Sequence, residues 1–202
     1  MRNQFRGIIA SQSWIQNGWQ LPPEEVDLSN TNYSDAGRMY ECLNFGHDIY
    51  PAEEDGSYVG FTPSFKKLPD PENVRAVDFV FLRSLNHESS TNFIVGFYAF
   101  PEIRARIPRL ANHPLFTIYD YGNMKTSADN IVRLANPIPV SSNTAARHGI
   151  IPHGQLSNRK YNYQLLRNVL RVLDLATELN PQDRRLSSIK LRYLQENRGV
   201  TS

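Results

Sequence analysis

Hydrophobic residues recur at every second position through much of the first 140 residues, which is the spacing of β-strands. The clearest alternation lies in residues 92–100. On a regular strand, one face would carry Phe93, Val95, Phe97 and Ala99, and the other Ile94 and Tyr98. Further β-rich runs occupy residues 5–10, 39–45, 58–65, 77–82, 115–121 and 130–140. The last run contains Pro137 and Pro139, which favours a strand at a sheet edge.

After residue 160 the period becomes that of a helix. An apolar stripe consists of Leu166, Val169, Leu170, Leu173 and Ala176. This stripe predicts an amphipathic helix over residues 161–179. Asn180 is a suitable N-cap for a second helix that begins at Pro181 and ends near Gly199. Residues 104–110 are a weaker helical candidate, interrupted by Pro108.

A sheet-rich body followed by a helical hairpin is typical of an α+β fold, or of a closed barrel with helices attached. We expect a body over residues 1–158 and a C-terminal helical hairpin over residues 159–202. The final residues directly follow a helix, which would also suit a chain that continues into a further domain.

Composition favours a folded, cytoplasmic protein. The twenty aromatic Phe and Tyr residues and two Trp residues exclude a disordered chain. The sequence contains no run of eighteen apolar residues and begins without an apolar signal segment, so we expect no membrane association. Its one cysteine, Cys42, has no partner for an internal disulfide.

The net charge of +2 conceals an asymmetry between the two halves. Residues 1–100 carry 7 basic and 13 acidic side chains, whereas residues 101–202 carry 15 and 7. Of the 22 basic residues, 17 are arginine, whose planar fork suits phosphates. The basic half therefore indicates either a nucleic-acid partner or two halves that fold against each other.

Familiar catalytic motifs are absent from the sequence. It has no phosphate loop, dinucleotide fingerprint, zinc-protease helix or nucleophile elbow, so we expect no cofactor and no catalytic residues. His148 and His153 lie five residues apart in a Gly- and Pro-containing loop, which does not predict a metal site. The enzyme that remains open is a metal-dependent nuclease using Glu41, Asp48 or Glu53.

Two tryptophans follow the first predicted strand closely. Trp14 and Trp19 bracket four residues, just after the polar run Ser11-Gln12-Ser13. Each of the two tryptophans can pack in the hydrophobic core. Alternatively, each can form a stacking platform for a nucleobase.

The opening of the chain resembles that of YTH and EVE domains. The resemblance lies in Phe5-Arg6-Gly7-Ile8-Ile9-Ala10-Ser11 followed by Asn17-Gly18-Trp19, and in the later runs 92–98, 115–121 and 136–140. YTH and EVE domains are PUA-like β-barrels that read modified bases, and a cage tryptophan follows their first strand. This chain departs from YTH domains because it has no tryptophan after Trp19.

The resemblance implies a PUA-like twisted β-barrel with peripheral helices and a non-catalytic function. The expected function is recognition of methylated DNA, with the base flipped into an aromatic pocket. The candidate pocket residues are Trp14, Trp19, Phe45, Tyr98 and Tyr119. The candidate phosphate-binding residues are Arg104, Arg106, Arg109, Lys125 and Arg147. Such domains occur in methylation-dependent restriction systems of the McrB type, so further subunits or domains of a defence complex are expected partners.

Three alternatives remain at the level of sequence. An RNA-binding PUA or ASCH-like domain would share the barrel but contact backbone and 2′-hydroxyl groups. A nuclease would use the carboxylates named above. A protein–protein module would use the basic segment over residues 181–197 to bind a partner.

Overall fold

The structure is a computed structural model, and it describes residues 5–22, 40–67, 73–74, 77–109, 119–140 and 161–197. Within these ranges the chain has a mixed α+β fold of eight strands and two helices. The strands are β1 (Phe5–Gln12), β2 (Ser57–Gly60), β3 (Phe79–Asn86), β4 (Thr91–Ala99), β5 (Glu102–Pro108), β6 (Tyr121–Ser127), β7 (Ile131–Pro139) and β8 (Tyr161–Leu165). The helices are α1 (Leu166–Leu179) and α2 (Arg184–Glu196).

The strands form two sheets. The larger has the order β7-β4-β3-β1-β8, in which β1 and β3 are parallel and the other neighbours are antiparallel. The smaller is antiparallel with the order β2-β6-β5. Within the described ranges these sheets do not close into a barrel. As predicted, β7 lies at a sheet edge among the described strands.

The larger sheet separates two hydrophobic cores. On one face, Val172 and Leu173 of α1 and Tyr193 of α2 pack against Phe79 and Phe81 of β3. The opposite face carries the second core, to which the Trp14–Trp19 segment and strands β2 and β6 contribute. Every candidate pocket residue named from the sequence belongs to, or packs against, this second core.

The predicted faces of β4 are wrong beyond Val95. Phe93 and Val95 do share the second core, but Phe97 and Ala99 lie in the first, together with Ile94. The cause is an irregularity between Ile94 and Gly96 in the pairing with β7, matched by one between Leu82 and Arg83 in the pairing of β3 with β4. A β-bulge adds one residue to a strand and so reverses the faces that follow it.

Three predicted elements also differ from those observed. The helix predicted over residues 104–110 is wrong for residues 104–108, which belong to strand β5. The first helix begins at Leu166, since residues 161–165 pair with β1 as strand β8. The run 39–45 contains a 3-10 turn at Tyr40–Leu43 in place of a strand. Residues 110–118, and with them most of the strand predicted at 115–121, lie outside the described residues.

The second helix begins three residues later than predicted. Its N-cap is Asp183, whose side chain accepts a hydrogen bond from the Leu186 amide at 2.9 Å. Asn180 has a different role, because its side chain brackets the backbone of Asn136 in β7. The Asn180 Oδ1 accepts from the Asn136 amide at 2.7 Å, and its Nδ2 donates to the Asn136 carbonyl at 3.0 Å. The corner of the helical hairpin is thereby attached to the sheet.

Candidate functional site

The loop that follows β1 is held in a strained conformation by hydrogen bonds. Trp19 has a φ of +61°, a left-handed conformation that costs a residue with a Cβ roughly 1–3 kcal/mol. Its amide donates to Asn17 Oδ1 at 3.1 Å, and its indole Nε1 donates to the Ser13 carbonyl at 2.9 Å. Its own carbonyl accepts from the Phe45 amide at 2.8 Å. These three bonds fix the position of the loop over the second core.

The two tryptophans have different environments. Trp19 is 5% exposed and packs edge-on against Phe45, with ring centroids 6.2 Å apart. Trp14 is half-buried, and its ring meets Trp19 at 5.5 Å and 83°. Its other aromatic neighbour is Phe93 of β4 at 6.1 Å. Solvent therefore reaches Trp14, which rests on a buried Trp19.

The other three candidate pocket residues are interior. Phe45 and Tyr98 are fully buried, and Tyr119 is 2% exposed. The Tyr98 hydroxyl donates to the Asn44 carbonyl at 2.5 Å, and the ring of Tyr119 meets Tyr40 edge-on at 5.7 Å. The structure thus brings Trp19, Phe45, Tyr98 and Tyr119 together in one core, with Trp14 at its accessible edge.

A row of residues crosses three strands beside Trp14. Gln12 of β1 is paired with Ser84 of β3, and Ser84 is paired with Phe93 of β4. Residues directly opposite one another in a sheet project to the same face. The row therefore runs Gln12, Ser84, Phe93, and its last member contacts the ring of Trp14.

Hydrogen bonding fixes which atom of the Gln12 amide is available. The backbone amide of Phe61 donates to Asn44 Oδ1 at 2.8 Å, and the Asn44 Nδ2 donates to the Phe61 carbonyl at 2.8 Å. Since backbone donors and acceptors are unambiguous, these bonds set the orientation of Asn44. The same Nδ2 donates to Gln12 Oε1 at 2.6 Å. Gln12 must therefore present its NH₂ group on the other side.

Two polar atoms of this row are buried without a partner. Gln12 is 7% exposed and Ser84 is 1% exposed. Neither Gln12 Nε2 nor Ser84 Oγ has a hydrogen-bond partner among the described residues. A buried polar group without a partner costs about 1–3 kcal/mol, so such groups call for an explanation. The Gln12 Nε2 group can only donate a hydrogen bond, whereas the Ser84 hydroxyl can donate or accept one.

Most of the candidate phosphate-binding residues form ion pairs with carboxylates. Arg104 is 70% exposed and forms an ion pair with Glu102. Arg106 is paired with Asp120 at 2.7 Å, and Lys125 with Asp55 at 2.6 Å. All of these lie on or beside the smaller sheet, and Arg147 lies outside the described residues.

Arg109 is interior, at 3% exposed. Its Nη2 donates to the Val59 carbonyl at 2.7 Å, and its guanidinium carbon lies 5.5 Å from the centre of the Tyr58 ring. Its contacts with the strand and the ring position it as part of the packing of the smaller sheet.

The carboxylates proposed for a nuclease do not converge. Glu41 is fully buried and accepts from the Ser13 hydroxyl at 2.9 Å, while Asp48 is paired with Arg185 at 3.1 Å. Among the described residues, no group of three His, Cys, Asp or Glu side chains is arranged to hold a metal ion.

Burial raises the pKa of the Cys42 thiol to about 12, which keeps it protonated at neutral pH.

His47 connects the body to the helical hairpin. Its Nε2 lies 2.5 Å from Arg185 Nη1, and Arg185 also donates to the Ile131 carbonyl at 3.3 Å. Burial, reinforced by the charges of Arg185 and Arg133, lowers the pKa of His47 to about 4 even though Asp48 opposes the shift. His47 is therefore neutral at pH 7 and accepts from the guanidinium.

Sequence reasoning named the aromatic residues of this region but not Gln12, Asn44 or Ser84. The polar run Ser11-Gln12-Ser13 at the end of an apolar strand was the available signal. Ser84 had no comparable signal, because its neighbour across the sheet depends on a parallel pairing of β1 with β3.

Comparison with known proteins finds no matching family model, no similar curated protein and no similar solved structure. Within the described part of the chain, neither helix is long and apolar enough to cross a membrane.

Proposed function

We propose that the protein is a non-catalytic module that recognises a modified base in DNA. The observation that carries this proposal is the partly exposed Trp14, which contacts Phe93 at the end of the row that contains Gln12 and Ser84. Gln12 Nε2 and Ser84 Oγ are buried and have no hydrogen-bond partner among the described residues. An aromatic platform beside unsatisfied hydrogen-bonding groups is the combination that a stacked base would use.

The chemistry of a nucleobase suits both parts of this site. Stacking on an aromatic side chain contributes about 1–3 kcal/mol per base and is insensitive to base identity. Gln12 Nε2 can only donate, so the bound edge must offer an acceptor. Gln12 Nε2 and Ser84 Oγ, which have no partner among the described residues, would gain one in the complex, and a base without the matching atom would leave them unpaired. Gln12 and Ser84 would therefore select the bound edge, but only for a base that Trp14 holds in place, so the preference depends on all three side chains.

Base recognition of this kind requires an unpaired or extruded nucleotide. The resemblance of the N-terminal segment to YTH and EVE domains supports a modified base as the ligand and a PUA-like arrangement of the sheets. The same resemblance of sequence motifs implies membership of a restriction or defence complex. The wider basic surface would add affinity that depends on salt.

The test is a titration of wild-type protein with methylated and unmethylated duplexes, single strands and RNA at fixed salt, read by fluorescence anisotropy. We expect the protein to bind one of the methylated DNA probes more tightly than its unmethylated counterpart. We expect Trp14→Ala to fold normally and to lose most of this preference, because Trp14 is at the surface of the core. Trp19→Ala is the matched structural control and should lower the thermal stability, since it removes a buried ring and the bond to Ser13.

Two results would count against the proposal. One is an absence of nucleic-acid binding even at low salt. The other is a Trp14→Ala variant that binds methylated and unmethylated probes with the wild-type ratio. Preferential binding of RNA would favour the PUA or ASCH-like alternative.

A further inference from the structure

Arg133 of β7 is an exposed cation next to the tryptophan loop. It is paired with Gly96 of β4, at which an added Cβ would collide with the ring of Phe45. The pairing places Arg133 on the face of the larger sheet that carries the second core. Because β7 is an edge strand, the side chain reaches the rim of that face.

The guanidinium of Arg133 lies directly against the loop. A Cβ added to Gly18 would lie 3.3 Å from Arg133 Nη1 and 3.7 Å from its Cδ. Gly18 also has a φ of +71°, which residues with a Cβ rarely adopt. Both constraints favour glycine at the position just before Trp19, and the absence of a side chain lets the arginine approach the loop backbone.

Arg133 differs from the basic residues of the smaller sheet in its charge environment. Arg104, Arg106 and Lys125 each have a carboxylate partner. In the part of the chain that the structure describes, no carboxylate lies within ion-pair distance of Arg133. The planar fork of this arginine is therefore available for an external anion.

We infer that Arg133 binds a backbone phosphate of the nucleotide whose base stacks on Trp14. This inference rests on the proposed function and adds a residue to it. Trp14 and Gly18 belong to one short loop that hydrogen bonds hold in place, so a strand that puts a base on Trp14 has its phosphates near the loop. Arg133 supplies the cation there, whereas the paired side chains of the smaller sheet do not.

The experiment measures the salt dependence of DNA binding for wild type, Arg133→Gln, Arg133→Lys and Arg104→Gln. Loss of one phosphate contact reduces the slope of log K against log salt by about 0.9 for duplex and about 0.7 for single strands. Arg133→Gln should show this reduction, and its deficit relative to wild type should grow about eightfold for each tenfold dilution of salt with a duplex. The loss should be equal for methylated and unmethylated probes, because a phosphate contact carries no base information.

The controls separate a phosphate contact from a structural effect. Arg133→Lys keeps the charge and should retain the wild-type slope, whereas Arg104→Gln should change the slope less than Arg133→Gln does. A wild-type slope in Arg133→Gln, or a loss confined to methylated probes, would overturn the inference while Trp14→Ala still tests the base site. If wild-type protein binds no DNA at all, the proposed function fails and this inference fails with it.

Discussion

Replacing Ser84 with alanine separates stability from binding at the candidate site. Ser84 is 1% exposed, and its buried hydroxyl has no hydrogen-bond partner among the described residues. Its desolvation is therefore uncompensated in the free protein. Alanine keeps the Cβ and removes one buried oxygen, so the change leaves the register of β3 intact.

The expected change in stability has the opposite sign from that of most core substitutions. An unsatisfied buried hydroxyl costs about 1–3 kcal/mol, and its removal returns part of this amount. A small void offsets some of the gain, so we expect the free energy of unfolding to stay equal or to rise by about 1 kcal/mol. In a chain of this length, 1 kcal/mol corresponds to a shift of about 2–4 °C in the melting temperature.

Ser64→Ala is the matched control. The Ser64 hydroxyl accepts from the Ser11 amide at 3.1 Å and donates to the Ser11 carbonyl at 3.2 Å, just where β1 extends past the start of β8. Its removal takes this partner from the Ser11 amide, while the Ser11 carbonyl still accepts from the Thr62 hydroxyl at 2.9 Å. We expect a loss of about 1–3 kcal/mol, because the amide loses its side-chain acceptor.

Urea unfolding monitored by circular dichroism, combined with anisotropy titrations, tests both halves of this prediction. Ser84→Ala should unfold at an equal or higher urea concentration than wild type and should bind methylated DNA several-fold more weakly. A destabilisation of Ser84→Ala as large as that of Ser64→Ala would refute the reasoning, because it would mean that the Ser84 hydroxyl already has a partner in the free protein.

Two further changes test the attachment of the helical hairpin. Neutral His47 is favoured in the folded state, where its pKa is about 4 against an ordinary 6.5, so its contribution is fully present above pH 6.5 and is lost as the pH falls through 4. The loss of stability amounts to at most about 3 kcal/mol. As the pH is lowered over this range, the urea midpoint should fall less steeply for His47→Gln than for wild type. Equal pH dependence of the midpoint in the two proteins would contradict the assignment. Asn180→Ala removes the bracket on Asn136 and should cost about 2–3 kcal/mol by thermal unfolding, whereas Asn197→Ala, which loses one bond at a helix end, should cost less than about 1 kcal/mol.

The strands and helices in which apolar residues recur regularly were predictable from the sequence. The elements that were predicted wrongly have identifiable physical causes. Strands β1, β3, β4 and β7 lie close to their predicted positions, because alternation of apolar residues reports a half-buried sheet. The faces of β4 were not predictable, since a bulge leaves no mark in the apolar pattern. Residues 104–108 belong to strand β5 because pairing with β6 outweighed a local helical preference.

Some features of the candidate site were also predictable from the sequence, and others were not. The aromatic character of Trp14 and Trp19 was visible, but their difference in exposure depends on a loop that turns through two consecutive left-handed residues, Gly18 and Trp19. Arginine-rich composition suggested phosphate contacts without showing that Arg109 is interior or that Arg106 is paired. Such features depend on partners that are distant in sequence.

The central claim is that a base stacks on Trp14, and the fluorescence of the two tryptophans tests it directly. Trp14 is accessible and Trp19 is buried, so a bound base should quench the emission of Trp14 alone. We predict that a methylated oligonucleotide quenches the wild-type protein saturably and leaves the emission of Trp14→Phe, which retains only Trp19, unchanged. Equal fractional quenching in both proteins, or binding without any quenching, would contradict the account.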